Sequence, residues 1–299
     1  MLLSQVVNGL TQGSLYALVA IGFVIIFGTM NLVTFAHGEV YMIGAFVGYF
    51  ALSVYHLPWG VALGLGMAAA WILGALIEKL AFRPLRATGH MPSLLITIGL
   101  SIILKDLAVI VFGAENRPVP SVYEATIRVA GVSVSVLQLV ILGLAGALVL
   151  TLQLLLKATK IGRAMRATAQ DHEAAYAMGV NVNRVFNISF ALASALGGAA
   201  GVMVGIYYNT VYPAMGGTAG LKGFAACIFG GLTSIPGAIL GGLIIGVVEN
   251  LTVQFISSGY RDVVAFKSNC RVSTSAPASP RITSWRTETE TPATRMVAS

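Results

Sequence analysis

The sequence predicts an all-α protein, a polytopic transmembrane helix bundle with about eight membrane segments, some of them broken or re-entrant. Of the 299 residues, 57% are hydrophobic and only 10% are charged, whereas a soluble domain carries about 25% charged residues. The apolar residues form long runs instead of alternating with polar ones, which is typical of membrane helices and not of barrel strands. The 34 glycines suit helices that pack closely in lipid.

Six apolar windows are long enough to cross a bilayer, which takes about 20 residues. They cover residues 6–28, 32–53, 60–77, 94–113, 133–156 and 185–208. Two further segments follow, 221–232 and 238–257, with Ser234, Ile235 and Pro236 between them. Because the first of these two is too short to cross comfortably, we expect them to form a broken or re-entrant pair.

Two clusters of basic residues determine the expected orientation. The first contains Lys79, Arg83 and Arg86, and the second contains Lys157, Lys160, Arg163, Arg166 and Arg184. Basic loops stay preferentially in the cytoplasm, so we expect both clusters there. Two spans separate the clusters, so the loop between those spans is expected outside. Parity then puts the amino terminus outside as well.

The motifs expected of an enzyme are missing from the sequence. No lysine follows a glycine, so the phosphate-binding P-loop is absent. There is no H-E-x-x-H motif, and Cys227 and Cys270 show neither metal-ligand spacing nor a disulfide framework. The basic excess lies in the two membrane-flanking clusters, which gives no reason to expect a nucleic-acid partner. We therefore expect no enzyme activity, no metal and no cofactor in this chain.

The longest cytoplasmic segment begins at Ile161, reads IGRAMRATAQDHEAAYAMGVNVNRV and is too polar to span the membrane. Asp171 is placed to cap a short helix from His172 to Met178, which Gly179 would end by taking a left-handed conformation. Two interpretations stay open at this point. Either the helix is amphipathic and rests on the bilayer surface, or it is a docking helix for a cytoplasmic partner.

Several separated motifs resemble one family. The run EAAYAMG, Glu173 to Gly179, resembles the EAA-x-x-x-G loop of permease subunits in bacterial ABC importers, although the downstream I-x-LP portion is missing, as in a divergent subclass. The stretches GTMNLVTFAHGEVYMIGAF from Gly28, LKGFAACIFGGLTSIPGAILGGLIIGVVENL from Leu221 and SSGYRD from Ser257 resemble branched-chain amino acid permeases of the LivH type. The resemblance covers residues 1–266.

This resemblance implies a membrane-spanning permease subunit of an ABC importer that translocates branched-chain or related amino acids across the bacterial inner membrane. The implied partners are cytoplasmic ATPase subunits, a second permease subunit, an extracytoplasmic substrate-binding protein and the bilayer. In that family the short cytoplasmic helix sits in a cleft of the ATPase, which makes Glu173, Ala174, Ala175 and Gly179 the expected ATPase-coupling residues within segment 161–183.

Two other functions remain as alternatives. The first is an ion-coupled secondary carrier of small polar solutes, with Glu39, Asp106 and Glu249 as coupling carboxylates. The second is a membrane assembly subunit that transports nothing. Transport by this chain alone, driven by an ion gradient, would favour the carrier over the importer.

The candidate substrate path is predicted from irregular segments. Residues 31–44 and 234–237 interrupt apolar runs, and non-helical backbone at membrane depth survives only where protein or a water-filled cavity satisfies it. Thr34, His37 and Glu39 are the candidate lining residues. The competing interpretation of the intramembrane ionisable groups is structural pairing between helices, for example Lys105 with Glu249.

The composition changes after Phe266. Residues 267–299 contain 12 Ser or Thr and 3 Pro, with five basic and two acidic residues, a composition that cannot bury enough apolar surface to order itself. We expect a transmembrane permease domain over 1–266 and a disordered tail over 267–299. The tail resembles a frame-changed or truncated replacement of the family's final hydrophobic helix.

Overall fold

The computed structural model describes residues 2–85, 90–122, 125–129 and 132–255, and this part of the chain is almost entirely α-helical. The helices are α1 Leu2–Met30, α2 Ala36–Tyr49, α3 Trp59–Ile77, α4 Arg83–Leu85, α5 His90–Phe112, α6 Val136–Ala158, α7 Lys160–Gln170, α8 His172–Ala177, α9 Val182–Tyr208, α10 Met215–Gly230 and α11 Ile235–Phe255. Four short strands accompany them, namely β1 Arg117–Pro118, β2 Thr126–Val129, β3 Val132–Ser135 and β4 Thr210–Val211.

Within the described ranges, six helices are long and apolar enough to cross a membrane: α1, α3, α5, α6, α9 and α11. The shorter α2 and α10 lie among them and complete eight membrane segments. The predicted polytopic helix bundle is therefore confirmed. The tail 267–299 and the motif that begins at Ser257 lie outside the described residues.

Helices α1 and α9 form the centre of the bundle. Of their apolar windows, 83% and 89% is buried, against 17% for both α5 and α6. Helix α1 packs against α9, α10 and α11, and α9 packs against α2 and α3. The outer helices expose large apolar side chains, among them Ile110 of α5 and Leu154 of α6, as a lipid-facing surface requires.

Glycine allows the central helices to approach closely. A Cβ atom added at Gly13 of α1 would lie 2.8 Å from the Cα atom of Leu243 on α11, closer than a methyl group tolerates. Glycine pairs spaced four residues apart that begin at residues 197, 201, 237 and 242 also lie at such contacts. The pair Gly60 and Gly64 meets no other segment of the described chain.

The second membrane segment is broken, as its polar residues indicate. Helix α1 ends where Asn31 takes a left-handed conformation with φ of 51°, and residues 31–35 are not helical before α2 begins at Ala36. Beyond Tyr49 the chain continues as a π-helical turn, Phe50–Val54. The segment that was predicted as one window, 32–53, is therefore a short helix entered through irregular backbone.

Segments 221–232 and 238–257 form the expected pair. Helix α10 ends at Gly231, whose φ is 100°, and a tight turn leads into α11 at Ile235. Close contact between Gly230 and Gly237 lets the two helices run side by side.

One predicted boundary is wrong. The window 133–156 was expected to be helical from its first residue, but residues up to Ser135 belong to β3, which pairs with β2 in an antiparallel hairpin. Helix α6 begins at Val136 because Ser135 caps it: the Ser135 hydroxyl accepts a hydrogen bond from the Leu137 amide, and Gln138 Oε1 accepts one from the Ser135 amide.

The two basic clusters lie at the same end of the bundle. Asn187, near the start of α9, donates to the carbonyl of Ala75 at 3.0 Å and to Glu78 Oε2 at 2.8 Å, at the end of α3. At the opposite end, β1 pairs with β4, which joins the loop after α5 to the loop after α9. The two clusters thus share one end of the bundle, as the prediction of a common side requires. Arg86 of the first cluster lies outside the described residues.

Candidate functional site

Helix α8 forms as its local sequence predicts. Asp171 Oδ1 accepts hydrogen bonds from the amides of Glu173 at 2.8 Å and Ala174 at 3.0 Å, which satisfies donors that a helix start leaves open. At the other end Gly179 has a φ of 83°, and its amide donates to the carbonyl of Tyr176 at 2.9 Å. The predicted cap and the predicted left-handed stop are both confirmed.

The exposed side of α8 is partly apolar. Ala175 faces the bundle and is buried, whereas Glu173, Ala174 and Gly179 are exposed. Tyr176 is 74% exposed and Met178 is 84% exposed. The exposed side of α8 and its carboxyl-terminal cap therefore carries two large side chains that no other part of the described chain covers.

A histidine connects α8 to the membrane helices. A ring nitrogen of His172 lies 2.9 Å from the carbonyl oxygen of Thr29 at the end of α1. Its ring also packs edge-on against Phe186 of α9, with centroids 5.3 Å apart. His172 therefore contacts both helices at the centre of the bundle.

Helix α7 precedes α8 and has two unlike faces. The hydroxyl of Thr159 caps it through the Gly162 amide at 3.0 Å, and Met165 and Thr168 face the bundle. Arg166 donates to the carbonyl of Leu156 at the end of α6. Helix α7 is thus amphipathic, whereas Ala175 is the one buried residue of α8.

The predicted path residues lie in the packed interior. Thr34 and His37 are fully buried and Glu39 is 2% exposed. The His37 ring packs edge-on against Phe23 of α1 at 4.9 Å, and Glu39 Oε1 accepts a hydrogen bond from Ser101 of α5 at 3.0 Å. In this conformation His37 and Glu39 connect α2 to α1 and α5.

A cavity of about 400 Å³ lies between α1, α2, α9, α10 and β4. It is lined by Gln12, Leu15, Tyr16, Tyr41, Val204, Tyr208, Thr210, Tyr212, Met215, Thr218, Ala219 and Lys222. Its β4 side is the end of the bundle opposite to the basic clusters. The lining includes Tyr41, two residues beyond Glu39, but not Thr34, His37 or Glu39 themselves.

An ion pair stands at the wall of this cavity. The Nζ atom of Lys222 lies 2.8 Å from Glu249 Oε1 and 3.4 Å from the hydroxyl of Tyr16. The suggested pairing of Lys105 with Glu249 is therefore wrong, because Lys105 is exposed on the outer helix α5. Lys222 was not singled out from the sequence as an intramembrane ionisable residue. A lysine inside a membrane segment is nevertheless a signal of function that could have identified it.

Amide side chains extend the ion pair into a network. Gln12 donates to the Tyr16 hydroxyl at 2.5 Å, and Asn250 donates to Gln12 Oε1 at 2.8 Å and to the carbonyl of Gly246 at 2.9 Å. The network joins α1, α10 and α11, and it satisfies polar groups that would be costly in lipid. Among the residues that the structure describes, no group of three or more His, Cys, Asp or Glu side chains could hold a metal ion.

Comparison with known proteins identifies the family. The family described as branched-chain amino acid transport system, permease component, matches residues 5–267. The high-affinity branched-chain amino acid transport system permease protein LivH of Escherichia coli K12 is 36% identical over 88% of this chain and 90% of its own length. BraD of Pseudomonas aeruginosa, described in the same words, is 35% identical over the same shares.

A more distant relative comes from an archaeon. The probable branched-chain amino acid transport permease protein LivH of Methanocaldococcus jannaschii is 30% identical over 85% of this chain and 82% of its own length. No solved structure matches the chain. The comparisons confirm the resemblance that the separated motifs indicated. The chain belongs to the family of permease components of branched-chain amino acid transport systems.

Proposed function

We propose that the chain is the membrane-spanning permease subunit of an ABC importer that translocates branched-chain or related amino acids across the bacterial inner membrane. The family and the bundle of membrane helices support a multi-pass transporter subunit and not an enzyme. The observation that carries the proposal is α8, a capped helix next to the second basic cluster, where Tyr176 and the adjoining Met178 are exposed.

In this proposal, cytoplasmic ATPase subunits hydrolyse ATP and bind α8. Glu173, Ala174 and Gly179 belong to the docking surface, and Ala175 seats the helix against the bundle. Closure of the ATPases would move α8, and the contacts of His172 would carry that movement to α1 and α9. The same two helices line the cavity through Tyr16 and Tyr208. Movement of α8 would in this way couple closure of the ATPase subunits to access of the cavity from outside, because it shifts the bundle between two states.

Two further partners follow from the same proposal. A second permease subunit would complete the path against an outer face of the bundle. An extracytoplasmic binding protein would deliver the amino acid at the end formed by β1, β4 and the neighbouring loops. The proposed domain division stays 1–266 for the permease, with 161–183 as its coupling segment, and 267–299 for the tail.

The proposed path runs inward from the cavity along α2. Beyond Tyr41 it would reach Glu39, His37 and Thr34, which lie earlier on the same segment. Because these three side chains are buried here, they would meet substrate only when α2 separates from its neighbours. Irregular backbone at residues 31–35 gives α2 the freedom that such a movement needs.

The secondary-carrier alternative has less support. Of its three coupling carboxylates, Glu249 is paired with Lys222, and Asp106 is exposed on the outer helix α5. A carboxylate that moves protons or sodium ions needs access to the path, which neither Glu249 behind Lys222 nor Asp106 on the outer surface has.

Cross-linking tests the proposed docking of α8. Cysteines at the exposed positions Ala174 and Ala177 should cross-link to an ATPase chain in the assembled transporter, whereas a cysteine at the buried Ala175 serves as the matched control and should not. Labelling of positions 174 and 177 from the extracytoplasmic side would contradict both the orientation and the docking assignment.

A further inference from the structure

The cavity between α1, α2, α9 and α10 combines one cationic group with aromatic hydroxyls and an apolar side. Four tyrosines line it, at positions 16, 41, 208 and 212, together with Lys222. The apolar side consists of Leu15, Val204, Met215 and Ala219. Among its described lining residues there is no aspartate or glutamate. The wall therefore offers positive charge and π-electron density to anything that enters.

The ion pair is oriented toward this cavity. The Lys222 side chain is 12% exposed and the Glu249 side chain is 0% exposed, so the carboxylate lies behind the ammonium. Moving both charges out of water costs a desolvation free energy that their mutual attraction alone hardly offsets. A buried ion pair that turns its cationic end to a cavity is therefore better explained by binding than by stability.

Geometry suits an anionic group at Lys222. An ammonium has three N–H donors in a tetrahedral arrangement, so hydrogen bonding to Glu249 on one side is compatible with hydrogen bonding to a second carboxylate on the other. The Tyr16 hydroxyl, 3.4 Å from Nζ, and the Tyr16 ring, whose centroid is 5.7 Å from Nζ, fix the lysine between the two sides.

We propose that Lys222 binds the carboxylate of the transported solute in this cavity, with the tyrosine rings around its ammonium and the Leu15 and Val204 side around its aliphatic chain. This rests on the proposed function, because it assigns the first contact of an amino acid with the permease. A charged N–H to carboxylate bond is about twice as strong as a neutral one, and aromatic faces attract ammonium groups. Lys222 with Glu249 is neutral, and so is a zwitterion, so occupancy leaves the net charge of the site unchanged.

A reporter thiol inside the cavity tests the assignment. Thr218 lines the cavity one helical turn before Lys222, and Thr218→Cys in a chain with Cys227→Ala and Cys270→Ala gives this chain a single thiol, which is followed on this chain in the assembled transporter. The rates of its modification by negatively and positively charged methanethiosulfonates are measured. The comparison chain carries Lys222→Met with Glu249→Gln, which removes both charges without leaving one buried alone. Lys222→Arg is the charge-preserving control.

We expect the ratio of anionic to cationic modification rates to be several-fold higher with Lys222 than in the doubly neutral chain, because the ammonium of this neutral pair lies closer to the cavity than the carboxylate does. L-Leucine should slow the modification and leucinol, which lacks the carboxylate, should not. Protection should disappear in the doubly neutral chain and persist with Lys222→Arg. Equal charge ratios, or equal protection by leucinol, overturn the proposal.

Uptake of labelled leucine by the same preparations distinguishes failure of the Lys222 binding site from failure of the proposed importer function. ATP-driven uptake without carboxylate-dependent protection overturns the role of Lys222 and leaves the importer intact. Carboxylate-dependent protection without any ATP-driven uptake supports the binding site and overturns the proposed function.

Discussion

His172 and Thr29 connect α8 to α1, one of the two central helices of the bundle: a ring nitrogen of His172 lies 2.9 Å from the carbonyl oxygen of Thr29. Thr29 is in the last turn of α1, where helical carbonyls have no partner within the helix. The contact therefore satisfies an open acceptor and at the same time mechanically connects α8 to a helix that lines the cavity.

Loss of this contact should weaken coupling. A hydrogen bond contributes about 1 kcal/mol, so His172→Ala is expected to lower the ratio of amino acid uptake to ATP hydrolysis about fivefold, with assembly unchanged. His172→Gln keeps a donor and is expected to retain most of the coupling. The measurement is parallel uptake and ATPase assays in proteoliposomes, and an unchanged ratio in His172→Ala would contradict the role of the contact.

The docking surface should respond to charge. Glu173 is exposed in the first turn of α8, where a carboxylate is also favoured by the helix dipole. Glu173→Lys is expected to abolish ATP-stimulated uptake while the spans remain inserted. Glu173→Gln removes the charge without reversing it and should have a smaller effect. Wild-type uptake in Glu173→Lys would exclude this surface from docking.

The backbone at Gly179 tests the geometry of the same helix separately. With φ at 83° and no atom within 4 Å of an added Cβ, a side chain here meets strain but no steric clash. Gly179→Leu is expected to cost about 1–2 kcal/mol and to uncouple transport, whereas Gly179→Asn, which tolerates the left-handed region, should stay close to wild type. Uptake assays with both variants check this, and equal behaviour of the two would argue against the cap.

The Lys222–Glu249 pair should show strong energetic coupling. Lys222→Met leaves a fully buried carboxylate without its cation, which costs roughly 3–5 kcal/mol when a buried pair is broken. The double variant with Glu249→Gln should recover much of that loss. Thermal unfolding of the purified full chain, compared across both single variants and the double variant, measures the coupling. Strictly additive losses would show that the two side chains do not interact.

Close packing between α1 and α11 predicts a contrast between glycines. Gly246 meets the backbone of Gly13, so Gly246→Ala is expected to destabilise the bundle by about 1–3 kcal/mol through overpacking. Gly64, with nothing within 4 Å of an added Cβ, is the matched control. Gly64→Ala should be neutral or slightly stabilising because alanine favours helix. Unfolding temperatures in detergent would reveal the difference, and equal temperatures would contradict the packing.

Local chemistry made α8 predictable from sequence. Asp171 as a cap and Gly179 as a left-handed stop depend on neighbours within one turn, so the sequence alone indicates both. The start of α6 was misplaced because the apolar window took in the alternating residues VSVS of β3, Val132–Ser135, together with the apolar run that follows, whereas in the structure β3 pairs with β2.

Long-range pairing was not predictable in the same way. Glu249 was recognised as an intramembrane carboxylate, but its partner depends on how α10 turns back onto α11. Nothing in the local sequence distinguishes Lys222 from Lys105 as that partner. The cavity was missed for the same reason, since its wall is assembled from four helices and a strand.

Reconstitution tests the central claim most directly. The chain is placed in proteoliposomes with its partner permease, ATPases and binding protein, and uptake of labelled leucine is measured with ATP inside. We predict uptake that requires ATP and every partner, with none when the chain is reconstituted alone under a proton or sodium gradient. Gradient-driven uptake by the chain alone would contradict the importer and support a secondary carrier.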